Sequence, residues 1–328
     1  MWTRGCSQGC ARAMRGGEAG RAELTLAVVT LVWGSSFTLI KQALGDVSVL
    51  LFLTLRFALA GAVLLALYRR ALALDWAAQR RGVRGGLVCG GLLTGAYLLQ
   101  TYGQQYTTPA RSGFLTALNV VFVPALLAAI TGRLPRWTEA LGVGLALAGT
   151  ALMTLSVPGQ AWGHWNAGDL LTIGCALLFA VHVMAVGHFV RQEGVFAALS
   201  GVQVAVVAVL CGAAAGMGLE PVVFRSTAWV WAGVVVTGLL CTALAFTVMA
   251  WAQQHTTPTR VALIFALEPV SAWLTSYGVL GERLGLAAAG GAVLILAGVG
   301  VVEWKPATRR VSPGEEIQGH PRQRRRTL

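Results

Sequence analysis

Gln104-Gln105-Tyr106-Thr107-Thr108-Pro109-Ala110-Arg111 recurs 149 residues later as Gln253-Gln254-His255-Thr256-Thr257-Pro258-Thr259-Arg260, with six of the eight positions identical. The match runs on without a gap through Ala117-Leu118 and Ala266-Leu267, then Gly132 and Gly281. It continues to Gly142 and Gly291 and closes on Leu147-Ala148-Gly149 against Leu296-Ala297-Gly298. One structural unit has been used twice.

Composition says what kind of unit it is. Of 328 residues, 56% are apolar and only 12% are charged, and mean hydropathy is +0.68. A soluble domain carries roughly 25% charged residues, too many to reconcile with this chain. Disorder is excluded for the opposite reason, because disordered segments lack apolar residues. An integral membrane protein remains, with the lipid bilayer as its first partner.

A helix needs about 20 mostly apolar residues to cross a bilayer. Windows of that length fall at 24–42, 47–68, 85–105, 110–130, 138–156, 167–187, 195–218, 228–250, 259–280 and 286–304. The repeat offset carries the third window onto the eighth and the fourth onto the ninth, so each copy holds five. An odd number turns the second copy upside down relative to the first, the arrangement of transporters with a midplane site between halves. The fold expected is all-α, with ten transmembrane helices in two inverted five-helix repeats. The repeats cover residues 24–156 and 167–304, between basic cytoplasmic tails at 1–23 and 305–328, the latter expected to be disordered.

Charge placement sets the orientation. Alternate loops, counted from the N-terminus, hold 20 of the 25 Lys and Arg, while the opposite loops hold four. By the positive-inside rule both termini are cytoplasmic, in a multi-pass protein of a bacterial-type inner membrane. Seven of the basic residues lie in the C-terminal run from Lys305 to Arg326, beside an apolar span, as expected of a segment facing anionic lipid. No aromatic-interleaved basic fold accompanies them, so no nucleic-acid partner is expected. Residues 1–23 are polar and basic, unlike a cleavable signal peptide, and Met1 and Met14 are both candidate starts.

The repeated motif has a local reading. Thr108 and Thr257 suit the N-cap of a helix, and Pro109 and Pro258 suit its first position, where a missing N–H costs nothing. Arg111 and Arg260 then fall in the first turn, positioned to snorkel toward headgroups. Gln104, Gln105, Gln253 and Gln254 complete the turns, and the motif is read as structural, with substrate contact as the alternative. Trp137, Trp162, Trp165, Trp229 and Trp304 stand near span ends, where indoles anchor at the interface.

Taken together, ten spans in inverted halves and the Gln-Gln-x-Thr-Thr-Pro-x-Arg turns resemble the EamA family of the drug/metabolite transporter superfamily, from about residue 24 to 304. Further marks are Leu31-Val32-Trp33-Gly34-Ser35-Ser36-Phe37, Leu55-Arg56-Phe57, Ala266-Leu267-Glu268-Pro269-Val270 and Leu280-Gly281-Glu282-Arg283-Leu284. The first half departs from that pattern at Gly132-Arg133-Leu134-Pro135, and Asn119 stands where the second copy has Glu268. What the resemblance implies is transport, usually efflux, of small metabolites or drugs.

An ionisable group inside a span is costly and marks a pathway by default. Arg56 and Glu268 qualify. Glu268 precedes Pro269, which removes a helix hydrogen bond. Glu268 is therefore expected to line a central cavity and bind substrate or a coupling proton; a structural Glu paired with Arg56 or an amide is the alternative. Asn119 is expected in the same cavity, with Trp33, Tyr97 and Gln100 as stacking and hydrogen-bonding surfaces. Arg56 is expected to face an anionic substrate or to hold Glu268, and an ion pair between the two would serve as a gate.

Metal and catalytic chemistry find little support. His182 and His188 are six residues apart, on different helix faces. Cys89, Cys175, Cys211 and Cys241 lie in apolar runs, and Cys6 and Cys10 lack partner ligands. No phosphate loop, H-E-x-x-H or G-x-S-x-G is present, so no cofactor, no metal and no enzymatic step are expected. The function expected is secondary-active transport, export of small metabolites, amino acids or drugs by alternating access. A channel and a lipid-modifying membrane enzyme are the alternatives, and a second copy of the chain is a candidate partner.

Overall fold

The computed structural model describes residues 4–69, 76–107, 109–132, 134–155, 165–192, 194–280 and 285–303. Thr108, Arg133, Trp162, Trp304, the Gly281–Leu284 motif and the C-terminal basic run lie outside the described residues. Helices come in the order α1 (Arg4–Ala43), α2 (Val49–Tyr68), α3 (Trp76–Tyr106), α4 (Pro109–Thr116), α5 (Asn119–Thr131) and α6 (Trp137–Leu155). The rest are α7 (Ala167–Phe189), α8 (Phe196–Gly216), α9 (Ala228–Gly238), α10 (Ala245–His255), α11 (Pro258–Phe265), α12 (Glu268–Leu280) and α13 (Leu286–Glu303). No strand occurs among the described residues; Val47 and Phe224 form an isolated antiparallel bridge.

Among the described residues seven helical stretches are long and apolar enough to cross a membrane: Glu18–Ala43, Val49–Tyr68, Gln79–Tyr106, Arg111–Thr131, Ala167–Phe189, Phe196–Gly216 and Ala228–His255. Trp137–Met153 and Leu286–Val302 are shorter apolar helices. Helix α1 is already wound at Arg4, so residues assigned to a polar tail continue a helix. Trp137, Trp165 and Trp229 are exposed.

Two helical stretches are broken at matched positions. Leu118 and Val120 donate to carbonyls three residues back, Leu115 and Ala117, between α4 and α5. Ala266 and Leu267 do the same, to Leu263 and Ile264, between α11 and α12. Such tightened turns separate two short helices within one span. Pro269 is not their cause, because the first break forms with Val120 at the equivalent position. A third interruption is a π-helical stretch, Leu239–Leu244, between α9 and α10. Thr242 Oγ1 there donates to the Thr237 carbonyl, five residues back, at 2.8 Å.

Packing interlocks the two sequence halves. α3 lies between α7 and α8, α2 against α8 and α9, α1 against α12 and α10, and α6 along α13. The last pair crosses on four glycines: a Cβ on Gly142 would meet Val302 and the Gly298 carbonyl, and one on Gly149 would meet the Gly291 carbonyl and Ile295. Gly142 matches Gly291 and Gly149 matches Gly298 across the repeat, so the conserved spacing of the two copies is a self-complementary helix contact. Small residues let the backbones approach where lipid offers no hydrophobic drive.

The loops before α2 and α9 are tied together. Glu220 accepts from the Val49 and Leu50 amides at 3.1 and 2.8 Å, capping α2 where Ser48 makes no side-chain cap. A carboxylate at a helix N-terminus satisfies orphan donors and meets the positive dipole end. Glu220→Ala is expected to lower stability by about 1 kcal/mol, the usual cost of a lost cap. Thermal unfolding of detergent-purified protein would show it; an unchanged midpoint would contradict the role.

Candidate functional site

A central cavity is lined by residues of α1, α2, α3, α7, α10 and both broken helices. Its cavity volume is about 40 Å³. That is room for water and little else in this conformation. Trp33, Arg56, Tyr97, Gln100, Asn119 and Glu268 all face it, so the structure brings the six sequence candidates to one place.

The lining follows the repeat. α3 and α10 end at Tyr106 and His255, keeping the offset of 149, whereas α1 and α7 end at Ala43 and Phe189, an offset of 146. At those offsets Trp33 matches Phe179, Ser36 matches His182 and Phe37 matches Val183. Tyr97 matches Phe246, Gln100 matches Met249, Thr116 matches Phe265 and Asn119 matches Glu268. All fourteen line the cavity, with Ile40 and Arg56 added. The two copies contribute differently. The first supplies the hydroxyls, the amides and the guanidinium beside Trp33, Phe37 and Ile40; the second supplies Phe179, Val183, Phe246, Met249 and Phe265 with one carboxylate and one imidazole.

The π-helical stretch holds Arg56 and Trp33. Arg56 is buried on α2 and donates from Nε to Thr242 Oγ1 at 2.9 Å, in the π-helical stretch, and from Nη2 to the Tyr97 hydroxyl at 3.2 Å. Its guanidinium carbon also lies 4.7 Å from the Tyr97 ring centroid. A cation over an aromatic face is favoured by the ring quadrupole, more so when desolvated. Trp33 donates its indole N–H to the Cys241 carbonyl, which the π stretch exposes, and meets Phe246 and Phe265 edge-on at 5.5 and 5.1 Å. A regular helix would tie that carbonyl to an amide four residues on.

Glu268 begins α12, beside the break, and is 6% exposed. Among the described residues its carboxylate has no ion-pair or hydrogen-bond partner, and Arg56 is bonded elsewhere. The Arg56–Glu268 gate is therefore not formed. Asn119 Oδ1 is buried without a partner as well. Gly34 of α1 allows this approach: a Cβ there would run into the Glu268 carbonyl oxygen, and Ser271 Oγ donates to the Leu31 carbonyl alongside.

Sequence reasoning missed His182. Its Nε2 lies 3.0 Å from Gln203 Oε1, while Nδ1 is buried without a partner in the cavity wall. His188, the other histidine of α7, is exposed. The repeat would have found His182, because its match, Ser36, lies in the Trp33–Phe37 motif; the three-residue change in offset hid the relation.

The motif residues separate into caps and buried polar groups. Thr257 Oγ1 accepts from the Arg260 amide and Pro258 opens α11, as expected; Pro109 opens α4. Gln105 is exposed and Gln254 donates to the Val190 carbonyl. Gln104 and Gln253 are fully buried, with both side-chain amide atoms unpartnered in each. The arginines do not snorkel. Arg111 pairs with Asp169 of α7 at 2.6 Å and Arg260 pairs with Glu23 of α1 at 2.8 Å. A carboxylate within reach in a low-dielectric interior outcompetes a distant headgroup.

A cavity walled by matched positions of two copies of one helical unit, in a chain of membrane-crossing helices, is the arrangement of a membrane transporter. The chain belongs to the EamA-like transporter family, whose model matches it twice, at residues 20–155 and 166–304. An uncharacterized transporter of Archaeoglobus fulgidus is 30% identical over 286 residues, covering 86% of this chain and 85% of that protein. A second uncharacterized transporter of the same organism is 26% identical over 290 residues, covering 85% and 96%. A solved structure, described only as the crystal structure of a protein, shares the fold with a TM-score of 0.67 at 22% identity, covering 86% of this chain and 96% of that one.

Proposed function

We propose that the chain is a secondary-active exporter of small metabolites, amino acids or drugs, working by alternating access between two inverted five-helix repeats. The observation that carries this reading is the cavity wall, built from matched positions of both copies. A site on the relating axis is reached from either face by the same motion, rocking one half against the other. In this reading the seven long spans, the helices at 137–155 and 286–303, and the broken α11–α12 unit make ten crossings, with both termini cytoplasmic in a bacterial-type inner membrane.

Glu268, Asn119, Arg56, Trp33, Tyr97 and Gln100 contact the transported molecule, Glu268 also serving a coupling proton. The uneven wall suits an amphipathic solute. Its polar end faces the Arg56, Gln100 and Asn119 side and its apolar part lies on Phe179, Phe246 and Phe265. The reading involves no cofactor and no catalytic step.

Comparing metabolites inside and outside cells with and without the protein identifies the compound, and counterflow in liposomes tests the mechanism. Expected are a few compounds enriched outside, and saturable exchange of the labelled compound against an excess of the same compound within. Flux that rises linearly with concentration and shows no counterflow would favour a channel and sink the reading.

A further inference from the structure

We infer that Gln104 and Gln253 step two matched half-paths from the cavity to opposite faces of the protein, each closed by a threonine–arginine–carboxylate clasp. The inference rests on the transporter reading and adds the residues that gate it.

On α3, Gln104 follows the cavity residue Gln100 by four positions, one helical turn on the same face. On α10, Gln253 follows the matched cavity residue Met249 by the same step. Both side chains are buried, and neither amide has a partner. An unsatisfied buried amide costs free energy, and a pair of them at matched positions asks for a reason. A polar solute or water passing along these faces supplies one.

The clasps stand one turn further on. Asp169 of α7 takes the Thr107 hydroxyl at 3.1 Å and Arg111 at 2.6 Å. Glu23 of α1 takes the Thr256 hydroxyl at 2.6 Å and Arg260 at 2.8 Å. Thr107 matches Thr256 and Arg111 matches Arg260 at the offset of 149, and Glu23 matches Asp169 at 146, so the clasps are related by the repeat. Each joins one half of the chain to the other.

They also lie at opposite ends. Lys41 donates to the Gln104 and Thr107 carbonyls, beside the Asp169 clasp. Glu23 sits 18 residues earlier on the same helix, about 27 Å away at 1.5 Å per residue. The bilayer core is about 30 Å thick. The cavity residues Trp33 and Ser36 fall between the two clasps along α1. Both clasps are formed in this structure, which agrees with the small free space inside. Transport then requires one to break while the other holds, and the acids and arginines act as positioning residues rather than as substrate contacts.

The test is one-sided labelling. Gln104→Cys and Gln253→Cys are placed singly in a chain whose native cysteines are replaced by alanine or serine. A membrane-impermeant methanethiosulfonate is then applied to oriented vesicles from each side. Asp169→Asn is expected to speed modification of Gln104→Cys at least fivefold from one side and leave Gln253→Cys as it was. Glu23→Gln is expected to speed Gln253→Cys from the opposite side and leave Gln104→Cys as it was. If either variant speeds both cysteines, the pairs merely hold the fold together and the inference falls; if neither cysteine responds, it falls as well. Should Asp169→Asn accumulate poorly, Arg111→Gln breaks the same clasp and must give the same one-sided result. Wild-type counterflow is scored separately, so one-sided labelling without counterflow keeps the clasps and sinks the transporter reading, and the reverse pattern sinks the clasps alone.

Discussion

Glu268→Gln is expected to slow transport by about 10- to 100-fold, the loss of one charge-assisted contact of about 1.5–3 kcal/mol. The reasoning begins with isolation. The carboxylate stands at the start of α12, next to a helix break, in a cavity where Arg56 is already committed to Thr242 and Tyr97. A buried carboxyl group without a partner is expensive in either protonation state, so a fold that keeps one has a use for it. Gln preserves shape and removes only the charge and the ability to carry a proton. The protein should therefore accumulate and unfold as wild type does while initial rates in liposomes fall. Rates within twofold of wild type, at equal incorporation, would leave Glu268 a structural residue.

Gly149→Val is expected to cost about 3 kcal/mol or more, the upper end of what overpacking imposes. A Cβ at 149 would press on the Gly291 carbonyl and on Ile295 N at 2.9 Å, and backbone atoms have no rotamer to escape into. Gly291→Val should do the same from the other helix, against the Gly149 carbonyl and Met153 N. Gly144→Ala is the control, since no atom lies within 4 Å of a Cβ there. Folded yield and thermal midpoint should collapse for the first two and hold for the third. Comparable yields for all three would show that α6 and α13 do not close on each other as described.

Particular residues show how far the sequence could be read. The repeat of Gln104–Arg111 at 253–260 identified the unit, and hydropathy placed it in a membrane, because both signals are linear along the chain. Glu268 and Arg56 stood out for the same reason: a charge inside an apolar run is visible without coordinates. Their relationship was not visible. The expected Arg56–Glu268 pair gave way to Arg56 bonding in the π stretch, and that stretch has no proline or glycine within Leu239–Leu244 to announce it. Pro269 suggested a weakened helix beside Glu268, but the break after Thr116 has Val120 at the matched site and nothing in the sequence announced it.

Arg111 and Arg260 make the same point about charge. Their position in a first helical turn suggested headgroups. Which anion each meets depends on Asp169 and Glu23, brought in by α7 and α1 from the other half of the chain. Sequence alone determined what recurs, what is apolar enough to meet lipid and where charges are costly, since these are properties of single segments and their spacing. The tertiary structure decided which segments wall one cavity and which buried polar groups find partners. It also decided which remain open to a solute, because hydrogen bonds and ion pairs act over a few ångströms between residues far apart in the chain.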